Sequence, residues 1–279
     1  MIDLHTHSSC SDGTDPPGRI VELAAAAGCS AVALTDHDTL VGLDEAGRRA
    51  GELAVTLVPG CEVSCAYRGR NPHVLVYFVT DVEGPLQEEL ARLREDRKVR
   101  NARLVARLQS LGAPITYEEV VAEAAGEESV GRPHVAAVLV RHGLAESIPD
   151  AFDRLLGEGK PAYIPKARVS PAEIAALATA SGGVPVLAHP FTLDLGPSGL
   201  AAAAAELAAV GFAGIEAYYA RYTRDQRAAL RDLAQRHDLV ATGGTDYHGA
   251  VKAGLSVGVG EGDLSVPDHV LDDLEARRP

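Results

Sequence analysis

No stretch of this chain approaches 18 consecutive apolar residues, so nothing in it reads as a membrane span. Its first residues lack a basic segment followed by a long apolar run. That speaks against a secretory leader and points to the cytoplasm. Cysteine is sparse: Cys10, Cys29, Cys61 and Cys65 in 279 residues make no disulfide framework. Cys61 and Cys65 are loosely spaced for a zinc pair and no second pair follows, so the thiols read as buried and inert. Positive charge is also scarce, with a formal net charge of −13. This argues against a long basic groove for duplex DNA and leaves a small phosphorylated substrate open. Part of the acid is then available as metal ligands. There is no Gly-x-Ser-x-Gly elbow, and residues 157–160 are not a phosphate loop, because no Ser or Thr follows the lysine.

What is present is a regular alternation. Short apolar runs at 2–4, 31–34, 56–58, 73–79, 184–187, 214–217 and 239–241 read as buried strands. Helical patterns lie between most of them. One spans about 17–27 and stops at Gly28. Another opens with the capping box Ser170-Pro171-Ala172-Glu173. An alanine-rich segment covers 200–210, and residues 223–236 begin with Thr-x-x-Gln. Strands alternating with helices imply βα units and a parallel sheet, and seven units favour a barrel over an open sheet. The alternation fails between about 86 and 162. Helical patterns there run at 86–111, 117–125, 133–142 and 149–156. The expected organisation is an α/β barrel of residues 1–85 and 163–279, with an all-α insertion at 86–162.

The placement of histidines carries the functional signal. His5 and His7, two apart on a strand, share a face. The second strand runs into Asp36-His37-Asp38, the third into Cys61-Glu62, the fifth into His189, and the seventh into Asp246-Tyr247-His248. In a parallel barrel every strand delivers its C-terminal residues to one mouth. Cys61 and Glu62 are adjacent and point to opposite sides, so Glu62 is the expected ligand and Cys61 belongs to the wall. His73 is the exception: it opens its run, so a short preceding strand or an irregular loop is needed to bring it to the mouth. His142, His237 and His269 receive no role.

These motifs resemble the PHP (polymerase and histidinol phosphatase) family: Ile2-Asp3-Leu4-His5-Thr6-His7, Ser11-Asp12-Gly13, Thr35-Asp36-His37-Asp38, Pro59-Gly60-Cys61-Glu62, Ala188-His189-Pro190 and Gly244-Thr245-Asp246-Tyr247-His248. The resemblance implies a distorted (β/α)7 barrel holding two or three divalent metals. By matching positions, His5, His7, Glu62 and Asp246 hold one metal. Glu62, His73 and His189 hold a second, and Asp12, His37 and His248 a third. In the insertion, Gly131-Arg132-Pro133-His134 and Gly159-Lys160-Pro161-Ala162-Tyr163 resemble the branch that removes phosphate from nucleoside 3′,5′-bisphosphates and trims short RNA from its 5′ end.

Imidazole and carboxylate without thiolate suit Mn²⁺ first, with Fe²⁺ or Zn²⁺ as alternatives. Metals about 3.5–4 Å apart hold a hydroxide between them and bind phosphoryl oxygens, which suits in-line attack on phosphorus. Arg132 and His134, at a helix start with free N–H groups, are expected to meet substrate phosphate, with Lys160 a weaker candidate. Asp36 and His189 are given catalytic roles. Asp36 or Asp38 either orients His37 or protonates the leaving group. The expected activity is hydrolysis of a phosphate monoester. The alternatives are histidinol-phosphate or cyclic-phosphate hydrolysis, amide hydrolysis, or a silent metal-stabilised module.

Overall fold

The strands are built mainly from apolar residues, as chains largely buried on both faces require. Ala31–Leu34 and Val184–Leu187 have no exposed residue. The computed structural model describes residues 1–80, 83–124, 130–165 and 168–279. It contains one seven-stranded sheet whose spatial order follows the chain: β1 (Ile2–Asp3), β2 (Ala31–Leu34), β3 (Thr56–Ser64), β4 (His73–Tyr77), β5 (Val184–Leu187), β6 (Gly214–Tyr219) and β7 (Val240–Gly244). The Leu4 N–H donates to the Gly243 carbonyl at 3.1 Å and the Asp246 N–H to the His5 carbonyl at 2.8 Å, joining the first strand to the last. The result is a distorted seven-stranded barrel.

The distortion has one main source. All neighbouring strands are parallel except around β4, which is antiparallel to both β3 and β5. The expectation of a wholly parallel barrel is therefore corrected. Reversal also disposes of the difficulty with His73, since the start of a reversed strand lies at the mouth. Neither a preceding strand nor an irregular loop is involved. β3 is longer than its apolar run. Residues 56–59 pair with β2 and residues 60–64 with β4, so Glu62 lies within the strand rather than past its end. The changeover falls at Pro59-Gly60. A Cβ on Gly60 would stand 2.6 Å from the Val76 carbonyl oxygen, so only glycine fits the crossing.

Alternation divides the core. Ile2, Leu4, Ala31, Ala33, Leu75, Tyr77 and Val186 form an inner cluster, which Val266, Val270 and Leu274 join from helix α10 (His269–Glu275) and the segment before it. Val32 and Leu34 turn outward onto α1 (Pro17–Ala26) and α2 (Leu43–Leu53). Cys61, Val74, Val76 and Leu187 pack toward α3 (Pro85–Ser110), α7 (Pro171–Ala180), α8 (Pro197–Ala209) and α9 (Arg224–Arg236). α2 has no counterpart in the sequence reading. It buries only Ala46 and Ala50 and carries Gly47 and Gly51, so its apolar stripe is too thin to stand out.

The insertion is helical. α3 leads from one core to another: Leu86, Leu90 and Leu93 pack with the barrel, whereas Leu104, Val105 and Leu108 belong to a separate cluster ending at Ala162. That cluster also receives α4 (Tyr117–Glu123), α5 (Arg132–Arg141) and α6 (Ile148–Ala151), which runs on as a single π-helical turn, Phe152–Leu156. Ala125, the expected end of the second helix, lies outside the described residues.

Candidate metal centre

The extended chain after β1 sends Thr6 one way and His5 and His7 the other. Thr6 Oγ1 donates to the Ala33 carbonyl at 2.6 Å, while the two imidazole Nε2 atoms face each other at 3.1 Å, fully buried. The loop that follows carries Asp12. It is held by Asp36, whose carboxylate accepts from the Ser8 N–H at 2.8 Å and from the Ser8 and Ser11 hydroxyls at 2.6 Å each.

Glu62 is the hub. Its Oε1 lies 2.9 Å from both His73 Nδ1 and His189 Nε2. Its Oε2 lies 3.1 Å from His7 Nε2, 3.2 Å from His37 Nδ1 and 3.4 Å from His5 Nε2. Asp246 Oδ1 approaches His5, His7 and His248 at 3.5, 3.4 and 3.3 Å. Asp12 Oδ1 is 3.3 Å from His248 Nε2, and its Oδ2 is 3.8 Å from His37 Nε2. Three sets of ligand atoms lie within 4.8 Å of one another: His5, His7, Glu62 and Asp246; His7, Asp12, His37 and His248; and His37, Glu62 and His73. His189 stands outside those three sets but reaches the Glu62 oxygen that His73 reaches. The structure thus brings all nine expected ligands into one cluster. Asp38, His189 and Asp246 hold left-handed backbones at this mouth, a strain typical of functional sites.

The donor set fits divalent cations. His7 Nδ1 is buried with no hydrogen-bond partner and faces Asp12. Imidazole nitrogens converge on shared carboxylate oxygens, with no thiolate among them. Charge is poised accordingly. Burial alone would push the Glu62 carboxyl up, but His37, His73 and His5 hold it well below the usual range. The same contest, won by His37 and His248, holds Asp12 well below its usual value. Asp246 is likewise depressed despite burial, chiefly by Lys252 and His5. Burial holds His37 down. It also opposes protonation of His7, whose carboxylate partners nevertheless push it up to about 9.

Above the cluster a cleft has two lobes, of about 190 and 220 Å³, that share His73, Arg100 and Arg132. Arg132 is where the sequence reading wants a phosphate contact. Gly131, just before it, abuts Asp12. His134 lies elsewhere in the design: its Nδ1 accepts the Gly131 N–H at 3.0 Å and so caps its own helix. Lys160 is exposed and lines neither lobe. A larger groove of about 690 Å³, between α9 and α10, holds no member of the cluster.

Several site residues received no role in the sequence reading. Arg97 and Arg100 project from α3 into the first lobe, and Asn71, Tyr163 and Arg168 line the second. Arg97 pairs with Asp38, and Arg94 donates to the Asp38 carbonyl. Arg100 is buried and donates to the neutral Asn101 side chain at 2.8 and 3.2 Å. Burial, and then Arg132 and Arg97 nearby, push its guanidinium down to about 9. The signal was available: arginines recur every three residues at 94, 97 and 100, one flank of a helix.

A model of the PHP domain matches residues 3–114. The chain is 30% identical over 276 residues to a 3′,5′-nucleoside bisphosphate phosphatase of Chromobacterium violaceum, covering 99% of this chain and 97% of that protein. It is 32% identical over 246 residues to a 5′-3′ exoribonuclease of Haemophilus influenzae, covering 88% and 89%. A crystal structure from Bifidobacterium adolescentis, ascribed to a metal-dependent phosphoesterase, superposes with a TM-score of 0.87 at 33% identity, covering 100% of this chain and 96% of that one.

Proposed function

The chain belongs to the PHP domain family, and from that premise we propose that it is a metal-dependent phosphoesterase removing the 3′-phosphate of nucleoside 3′,5′-bisphosphates. Stepwise 5′-3′ trimming of short RNA is part of the same reading, in keeping with the exoribonuclease relative. One observation carries it: a buried cluster of nitrogen and oxygen ligands opens directly onto a cleft lined by Arg97, Arg100 and Arg132.

In this reading His5, His7, Glu62 and Asp246 hold one divalent metal. Glu62, His73 and His189 hold a second, and Asp12, His37 and His248 a third. Manganese is the ion proposed, on the donor chemistry. Metals so held supply Lewis acidity toward phosphoryl oxygens and a water that ionises near neutral pH. The protein's own cations do the rest. Arg132 and Arg100 bind and orient the substrate phosphates, and their charge offsets that on the phosphoryl oxygens as the ester bond breaks. Asp36 acts by holding the Ser8–Ser11 loop rather than by moving a proton, since both its oxygens are engaged. His189 acts as a ligand: its Nε2 faces Glu62 and its Nδ1 lies 3.2 Å from Thr192 Oγ1. The helical insertion serves as the substrate-binding subdomain.

The test is phosphate release by the purified protein, assayed side by side on adenosine 3′,5′-bisphosphate and histidinol phosphate, with elemental analysis. Release from the first, abolished by chelation and restored by manganese, is expected. Preference for the second, or no hydrolysis of either after metal is restored, overturns the reading.

A further inference from the structure

Of the seven described strands, β6 alone contributes no member of the metal cluster. It contributes Glu216 instead, fully buried behind it. Both carboxylate oxygens are engaged by groups on other strands. Oε1 is 2.8 Å from His5 Nδ1, at the end of β1. Oε2 accepts the His189 backbone N–H at 2.6 Å, at the end of β5. That N–H belongs to a residue with φ +24°, immediately before Pro190, so the bond restrains a strained turn.

With the Glu216 carboxylate oxygen as acceptor, His5 donates from Nδ1. In the neutral imidazole that a metal would bind, the lone pair then sits on Nε2, the atom that faces His7, Glu62 and Asp246. We propose that Glu216 is the positioning residue of the metal centre: through one carboxylate it selects the ligating tautomer of His5 and seats the His189 turn. The inference rests on the metal-centre reading. It gives β6 a role that the nine ligands leave unfilled, and it couples two metal positions through a residue that touches neither metal nor substrate.

Glu216→Gln is the discriminating change, because it keeps the shape and removes one acceptor. With the amide NH₂ toward His5, Nδ1 becomes an acceptor and the proton moves to Nε2, which then has no lone pair for a metal. With the NH₂ toward His189, donor faces donor. The experiment titrates chelator-stripped protein with Mn²⁺ and follows affinity and stoichiometry, alongside thermal unfolding in chelator. The variant is expected to bind manganese about 10–100-fold more weakly at one or more positions, while its metal-free unfolding stays cooperative. In a His5→Ala background the added loss is expected to shrink, since part of the pathway is already gone. Wild-type affinity in the Gln variant overturns the inference. So do two losses that simply multiply, or a variant already unfolded before metal is added, which would make Glu216 a fold residue. A wild-type chain that takes up no manganese overturns the metal-centre reading and the inference with it.

Discussion

The Arg132 guanidinium lies over the Phe152 ring, its central carbon 5.5 Å from the ring centre. Phe152 comes from the π-helical turn of the insertion, and Arg132 is the junction of the two cleft lobes. The aromatic face holds the planar cation in place while leaving its edge for phosphate oxygens.

Arg132→Ala should therefore cut kcat/KM about 10–100-fold, the cost of one charge-assisted contact. Metal content should not change. Steady-state kinetics with elemental analysis reads both, and unchanged kinetics removes Arg132 from the site. Arg132→Lys should recover only part of the loss, because the flat stacking surface is gone.

His248→Ala should lose one metal equivalent. His248 belongs to the set with His7, Asp12 and His37, with its Nε2 3.3 Å from Asp12 Oδ1. Full occupancy in the variant contradicts the assignment.

Asp36→Asn removes acceptor capacity from a carboxylate that receives three hydrogen bonds. A stability loss of about 1–3 kcal/mol is expected, seen as earlier unfolding. The pH profile of the remaining activity should keep its shape. Disappearance of one limb would make Asp36 a proton-transfer group instead.

The metal-free protein should show an inverted pH response. Burial pulls the His5 and His7 imidazoles down, yet Glu216, Asp246 and Glu62 raise His5 well above its usual value and Asp246 and Glu62 push His7 up to about 9. These folded values exceed the unfolded one, so their stabilisation is complete below about pH 6.5 and is lost as pH climbs toward 9. Glu62, Asp12 and Asp246 are depressed, so their contribution holds above about pH 4 and fades in acid. His37, held low by burial, adds to the acid-side loss. Melting in chelator should peak near pH 6–7 and fall toward 9, while manganese affinity rises over that same interval as protons are displaced. A metal-free melting temperature that rises from pH 6.5 to 9 contradicts this account.

The seven strands were legible because each contains a short apolar run, most of them set off by helix signals, and both faces of such a strand are largely buried. Most of the ligands were legible because they follow those runs; His73 alone opens one. What failed was direction. Nothing in His73-Val74-Leu75-Val76 records whether a neighbour runs with it or against it, since residues alternate faces in both cases. Glu62 looked terminal because apolar character lapses at Pro59-Gly60, although the strand continues to Ser64. The arginine flank of α3 was hidden in a charged helix, where solvated and cleft-facing cations look alike until the barrel supplies a mouth for them to face. Glu216 was hidden for the opposite reason, as a lone acid inside Gly214-Ile215-Glu216-Ala217 with no partner nearby in sequence.

The central claim is that nine side chains drawn from both ends of the chain form one polynuclear metal site. Anomalous scattering at the manganese edge from a crystal soaked in Mn²⁺ tests it most directly. The account predicts two or three peaks around the Glu62 carboxylate, ligated by His5, His7, Asp12, His37, His73, His189, Asp246 and His248. Peaks elsewhere, or none among those residues at saturating manganese, would contradict it.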